Sequence, residues 1–319
     1  KRAGLTRESL AMEVASNDGY LLRNFVQHGI PVLGIEPARN VARVAEQQGV
    51  RTLVRFFGSE VASELAAAGQ QADLLVANNV LAHVPDLNDF VEGLRLALKP
   101  AGMITVEFPH LARLMEGNQF DTIYHEHFSY FSLLTAQAVF AEHELTVFDV
   151  EELPTHGGSL RVYARHAGHE SLPVSGAVPA LLERERALGL ADTEAYDSFA
   201  ERVKATKRSL LEFLVSAKED GKRIAGYGAA AKGNTLLNYC GITTADIEYV
   251  ADRSREKQGR LLPGSHLPVE APEHIFETRP DYVVILPWNL RKEISSQLGA
   301  IRDWGGQFVT FVPDVAVWS

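Results

Sequence analysis

The sequence predicts an α/β protein built from two Rossmann-like parallel-sheet units, and three observations carry that expectation. Short apolar runs alternate with helical stretches between residues 11 and 108. The alternation resumes at residue 223. Each series opens on a strand that runs into a small-residue turn, Ser16-Asn17-Asp18-Gly19 in the first and Gly226-Tyr227-Gly228-Ala229-Ala230-Ala231 in the second. Strict strand–helix alternation favours parallel strands with helices on both faces of the sheet.

In order, strands are expected at 11–15, 31–35, 52–56, 73–77 and 103–108, each a short apolar run. Helices are expected at 20–28, 39–48, 60–68 and 87–98; Gly29 and Gly49 close the first two, and Lys99-Pro100-Ala101-Gly102 turns the chain into the fifth strand. Residues 178–219 are rich in Ala, Leu, Glu and Arg at helical spacing, with almost no breakers, and read as a long connector. Strands follow at 223–226, 248–251, 282–286 and 308–311. The expected domains are 1–150, a connector over 151–220, and 221–319, with no residue-level repeat between the two α/β units.

Bulk properties narrow the function. At roughly 100–200 residues per domain, 319 residues suggest two domains. The net charge of −10 comes without a basic stripe, which speaks against nucleic acid and anionic membranes as partners. A small anionic substrate stays admissible, because a few local Lys or Arg residues suffice to bind it. Cys240 is the single cysteine, so neither an internal disulfide nor a Cys-rich zinc site is expected. No apolar run approaches the about 18 residues that span a bilayer, and no leader is visible. A cytoplasmic protein is the default expectation, with a monomer favoured. The chain opens on Lys1, not Met, which suggests a preceding segment.

Ligands of open parallel sheets sit beyond the carboxyl ends of the strands. Three such ends carry polar residues here: the Ser16–Gly19 turn, Glu36 roughly 20 residues on, and Asn78-Asn79 with His83 one turn later. The first turn has one glycine and an added Asp, so it lacks the three-glycine cradle of a pyrophosphate. It suits a cofactor without phosphates, such as S-adenosylmethionine, with Glu36 accepting from the ribose hydroxyls. Tyr124-His125-Glu126-His127 packs a phenol, two imidazoles and a carboxylate into four residues, a set able to take a proton from carbon beside a carbonyl. In an extended segment Tyr124 and Glu126 would face one way and His125 and His127 the other. Two histidines without further ligands do not make a zinc site. His143 and His166, each a lone histidine near an aromatic, read as structural.

Five blocks occur in one order: Glu13-Val14-Ala15-Ser16-Asn17-Asp18-Gly19, Asn78-Asn79-Val80-Leu81-Ala82-His83-Val84, Tyr124-His125-Glu126-His127-Phe128-Ser129-Tyr130-Phe131-Ser132, His156-Gly157-Gly158-Ser159-Leu160-Arg161 and Gly226-Tyr227-Gly228-Ala229-Ala230-Ala231-Lys232-Gly233-Asn234. Together they resemble the sugar C-methyltransferases that act on nucleotide-linked 4-keto-deoxysugars in deoxysugar and antibiotic biosynthesis. The resemblance covers nearly the whole chain. It implies an S-adenosylmethionine-binding domain followed by a second Rossmann-like domain, with the sugar nucleotide, by family habit a thymidine diphosphate, held between them. It also implies an N-terminal zinc module with cysteine ligands, which these residues do not contain, so no metal is expected here.

The implied cofactor set is Glu13, Ala15, Ser16, Asn17, Leu21, Glu36, Pro37, Asn78 and Asn79. The implied chemistry is removal of the proton beside the 4-ketone by His127 or its neighbour Glu126, while Tyr124 and His83 donate to the enolate oxygen. His125, Lys232, Asn234 and Lys257 are the implied substrate contacts. Two other readings stand beside this one. Gly226–Ala231 satisfies Gly-x-Gly-x-x-Ala and Asp252 follows 24 residues after Gly228, which would suit a nicotinamide-dependent oxidoreductase or epimerase. A non-catalytic binding protein that kept the cofactor fold is the third, and the intact Tyr-His-Glu-His cluster speaks against it.

Overall fold

The computed structural model of the chain describes residues 2–319. The chain divides into two compact units: residues up to Ala112 together with Glu126–Ala191, and Arg113–His125 together with Asp192–Ser319. The first unit holds a seven-stranded sheet of β1 Ala11–Val14, β2 Val32–Ile35, β3 Thr52–Leu53, β4 Ala72–Asn78, β5 Leu98–Pro109, β6 Leu145–Leu153 and β7 Ser159–His166, ordered β3-β2-β1-β4-β5-β7-β6. The first five strands run parallel, and β7 and β6 complete the sheet antiparallel. β1 and β2 are buried at every position, as strands covered on both faces must be. One face packs Met12, Val14, Leu33, Leu75, Phe90 and Phe140; the other packs Leu74, Val76, Met103, Phe148 and Tyr163. Side-chain caps start two of the covering helices. Asp86 accepts from the Asp89 N–H ahead of helix Leu87–Ala97, and Ser132 from the Thr135 N–H ahead of helix Leu133–Glu142.

The second unit holds β8 Ile224–Tyr227, β9 Val250–Ala251, β10 Val269–Glu270, β11 Tyr282–Ile285, β12 Gln307–Thr310 and β13 Ala316–Trp318, ordered β10-β9-β8-β11-β12-β13 and parallel except for β13. Helix Thr193–Glu219 lies on it through Val203, Thr206, Leu210, Leu214 and Ala217, an apolar stripe at helical spacing. Residues 113–125 join this unit by specific ties. Asn118 Nδ2 donates to Thr206 Oγ1 at 2.8 Å, and the Trp288 indole donates to Asp121 Oδ2 at 2.8 Å.

The division differs from the expected 1–150, 151–220 and 221–319. Residues 145–166 complete the first sheet, and 113–125 leave it for the second unit. The expected connector is two helices, Ala177–Ala187 in the first unit and Thr193–Glu219 in the second, broken where Gly189 turns left-handed at φ 73°.

A buried polar cluster closes the base of the excursion in the first unit. Glu185, fully buried, accepts from His110 Nε2 at 2.7 Å and from the Leu133 and Leu134 N–H groups at 2.7 and 2.8 Å. Glu185→Ala should destabilise this unit by about 3–5 kcal/mol, because His110 and two helix-start amides lose their acceptor together. A urea midpoint close to wild type would contradict it. Asp121 is fully buried, and burial pushes its carboxyl up from 3.8 to about 6 against the opposing pulls of Trp288 and Lys232. A raised folded value stabilises the neutral form. This contribution is therefore complete below 3.8 and is lost as pH rises through about 6. Relative to Asp121→Asn, the wild type should lose on the order of 2 kcal/mol across that window. Parallel stability–pH curves for the two proteins would exclude the effect.

Candidate cofactor and substrate site

Strand order in the first sheet reverses between β1 and β4, which opens a crevice at their carboxyl ends. The turn after β1 is tightly wound. Ala15 and Asn17 adopt left-handed φ values of 56° and 53°, a conformation of order 1–3 kcal/mol unfavourable that clusters at binding sites. Gly19 at φ 80° lies against Val50 and Ala45, where an added Cβ would sit at 3.0–3.1 Å. Glu36 leaves β2 buried and bridges the two strand ends, its Oε2 accepting from the Asn17 N–H at 3.1 Å and its Oε1 from the Ala38 N–H at 2.8 Å. Each oxygen keeps a lone pair for a further donor. A cavity of about 350 Å³ lies beside them, lined by Val14, Ala15, Ile35, Pro37, Phe57 and His83 among others. Leu21 precedes helix Leu22–Gln27, and Asn79 is left-handed at φ 53° with its N–H on the Glu107 carbonyl at 2.7 Å.

Three polar atoms at these strand ends are buried without a hydrogen-bond partner among the described residues: Glu13 Oε2, Ser16 Oγ and Asn78 Oδ1. Burial, with Asp18 adding to it, pushes the Glu13 carboxyl up to about 8. Two neighbours of this group were not singled out from the sequence. Glu107 accepts from Arg161 Nη2 at 2.7 Å and from Thr155 Oγ1 at 3.1 Å, and Arg161 also reaches Glu151 at 3.2 Å. The signal lay in His156-Gly157-Gly158, three successive residues at positive φ that turn the chain directly into β7, which Ser159-Leu160-Arg161 open.

The Tyr124–His127 segment is not extended. His125 and Glu126 form an exposed turn, with Tyr124 and His127 half-buried on either side, so the expected alternation of faces does not occur. The division between units falls inside this tetrapeptide, after His125. In the first unit the His83 and His127 rings meet edge to face at 4.7 Å, and Tyr130 packs against His127 at 5.6 Å. His83 Nδ1 lies 3.0 Å from the Glu126 carbonyl. A carbonyl only accepts, so this nitrogen carries the proton and a neutral His83 presents a bare Nε2. His83 therefore donates at Nε2 only as the imidazolium.

In the second unit the Lys232 ammonium donates to Asn289 Oδ1 at 2.8 Å and sits 4.6 Å from the Trp288 ring centre, near buried Asp121. Burial lowers its pKa, with Asp121 opposing. Asn234 Oδ1 is buried without a partner among the described residues. Lys257 Nζ donates to the Ala229 carbonyl at 2.8 Å, and Asp252 accepts from the Ala229 N–H at 2.7 Å and the Ser254 N–H at 2.8 Å. The glycine turn after β8 is thus bonded to its own neighbours; at Gly228, φ 93°, an added Cβ would strike Pro287 at 2.5 Å. His143 is bonded to Glu92 and Asn88, and His166 to the Leu98 carbonyl. No group of three metal-ligating side chains and no helix long and apolar enough to cross a membrane occurs among the described residues.

Comparison with known proteins adds a family. The model for a C-methyltransferase C-terminal domain matches residues 154–313, and that for a methyltransferase domain matches residues 5–150. The chain is 41% identical over 324 residues to C-methyltransferase NovU of Streptomyces niveus, an alignment that covers all of this chain and 76% of that one. It is 32% identical over 102 residues to a ubiquinone biosynthesis O-methyltransferase of Methylobacterium sp. (strain 4-46), covering 32% of this chain and 39% of that one. Among solved structures, an S-adenosylmethionine-dependent methyltransferase from Clostridium acetobutylicum ATCC 824 aligns with a TM-score of 0.42 at 13% identity, over 52% of this chain and 87% of that one. A full-length match at that identity, together with a C-terminal domain model spanning half the chain, shows that the protein belongs to the S-adenosylmethionine-dependent C-methyltransferase family.

Proposed function

We propose that the enzyme methylates a nucleotide-linked 4-keto-deoxysugar, the nucleotide being thymidine diphosphate, at the carbon beside the ketone. The observation that carries this reading is the half-buried His127 ring meeting His83 edge to face, flanked by an exposed Glu126. An imidazole exchanges protons near neutral pH, and a partly desolvated one is the better placed of the two bases. His127 removes the proton next to the carbonyl. Tyr124 donates to the developing enolate oxygen. His83, its Nδ1 proton held by the Glu126 carbonyl, joins as donor when protonated and otherwise acts as an acceptor. His125, Lys232, Asn234 and Lys257 remain the proposed substrate contacts, with Lys232 already balanced against Asp121 and Asn289.

The first unit supplies the fit for the cofactor. The orphaned Glu13, Ser16 and Asn78 atoms are hydrogen-bonding groups open to a ligand, Glu36 keeps lone pairs for ribose hydroxyls, and the cavity at Ala15 and Pro37 has apolar walls for a flat ring. Leu21, Asn17 and Asn79 are the remaining proposed cofactor contacts. When bound, S-adenosylmethionine supplies an electrophilic methyl group for the sugar carbon. The nicotinamide reading loses support, because both matching family models and the full-length relative are methyltransferases.

His127→Asn should lower methyl transfer by about 10²-fold or more while leaving affinity for S-adenosylhomocysteine unchanged. Turnover within a few-fold of wild type would remove His127 from the base role. Glu36→Ala should weaken S-adenosylhomocysteine binding by about tenfold or more, measured by calorimetry on protein of unchanged melting temperature. Equal affinity would mean that the ribose is held elsewhere.

A further inference from the structure

A row of polar side chains crosses the first sheet at its ligand end. In the strand register Glu13 pairs with Val76, Asn78 with Glu107, and Glu107 with Arg161. Paired residues on neighbouring strands share a face, as do residues two apart on one strand. Glu13, Asn78, Glu107 and Arg161 therefore lie on one face. At the Arg161 end the charges are matched, since the guanidinium is shared between Glu107 and Glu151. At the other end nothing matches. Glu13 is 1% exposed, and its Oε2 and the Asn78 Oδ1 are both unpartnered among the described residues.

Two buried, unpartnered oxygens on one face call for a donor, and among the described residues neither has one. Asp18 and Tyr20, from the turn after β1, are the titratable groups that act on or feel Glu13; further along the same face Glu107 from β5 is paired with Arg161 from β7. Glu36 at the end of β2 is held by two backbone amides. Only Arg161 among these is cationic, and its charge is committed to two carboxylates. Removed from water among other acids, Glu13 keeps its proton in the protein alone; burial holds its carboxyl at about 8.

We propose that Glu13 acts as a proton-linked gauge of cofactor charge, releasing its proton when S-adenosylmethionine binds and taking it back once the methyl group has left. The inference rests on the cofactor placement given above. The cofactor carries a sulfonium, an ammonium and a carboxylate; S-adenosylhomocysteine lacks the sulfonium charge. A nearby cation favours the ionised carboxyl, so the cofactor drives off the Glu13 proton more completely than the product does. Rising pH through neutrality should accordingly tighten cofactor binding more than product binding.

The test is calorimetric titration of the full chain with each ligand at neutral pH in phosphate, HEPES and Tris. The dependence of the binding enthalpy on the buffer's own ionisation enthalpy counts the protons released. Roughly one proton should leave per cofactor bound and clearly fewer per product bound. Glu13→Gln should abolish the difference. No buffer dependence for the cofactor, equal release by both ligands, or an unchanged difference in Glu13→Gln would overturn the proposal. The comparison of the two ligands on the wild type stands without the variant, should that fold poorly. Wild-type affinity of both Glu13→Gln and Glu36→Ala would instead show the cofactor to lie elsewhere, an outcome distinct from tight, Glu13-dependent binding without proton release.

Discussion

The buried carboxyl group of Glu185 ties together the two ends of the excursion that carries the Tyr124–His127 segment. Its two oxygens gather the imidazole of His110, where the chain is about to leave the first unit, and the first amides of helix Leu133–Glu142, where it has returned. The Leu111 N–H on the Phe131 carbonyl closes the same neck. A buried carboxyl group is tolerated only when its hydrogen bonds are made, and here three donors converge on one side chain. Between the two ends of this neck the chain enters the second unit, where Asp121 is tied to Trp288. The tetrapeptide thus follows a stretch anchored in one unit and precedes a stretch anchored in the other. Both flanking anchors are carboxylates whose partners lie far along the chain.

That distance explains what could be read in advance. β1, β2 and β4 were legible because strands covered on both faces must be apolar throughout. β6 and β7 were not. They carry Asp149, Glu151, Glu152, Arg161 and Arg165, charges that look like a loop in sequence and are satisfied by partners across the sheet or on the adjoining segment, as in Arg161 with Glu151 and Arg165 with the Leu172 carbonyl. The helical character of 178–219 was legible, but its interruption at Gly189 passed unnoticed beside so many helix formers. Residues 113–125 have no composition of their own, and their membership in the second unit rests on contacts with Thr206 and Trp288 far along the chain.

The site divides the same way. Ala15, Asn17, Glu36 and Pro37 follow from the rule that ligands sit beyond parallel strand ends, which needs only the strands. The turn at His125-Glu126 could not be inferred, since His, Glu and Tyr are all compatible with extended backbone. Glu107, Arg161 and Asp121 escaped for a different reason. A carboxylate in a sequence has no visible partner, and its chemistry is decided by that partner.

Three glutamates at neighbouring strand ends make the point. Glu36 holds two backbone amides and so fixes a turn. Glu107 holds a guanidinium and a hydroxyl and so fixes an edge of the sheet. Glu13 has one oxygen that holds nothing, and its burial keeps the group neutral. A buried acceptor without a donor costs about 1–3 kcal/mol in the folded protein, a cost that a binding partner with the right donors removes. Affinity gained in this way is selective, because an exposed carboxylate would attract any cation, whereas a buried, protonated one answers only to a ligand that brings enough positive charge to ionise it. In an enzyme whose cofactor and product differ by one positive charge, that is where discrimination between them is physically available.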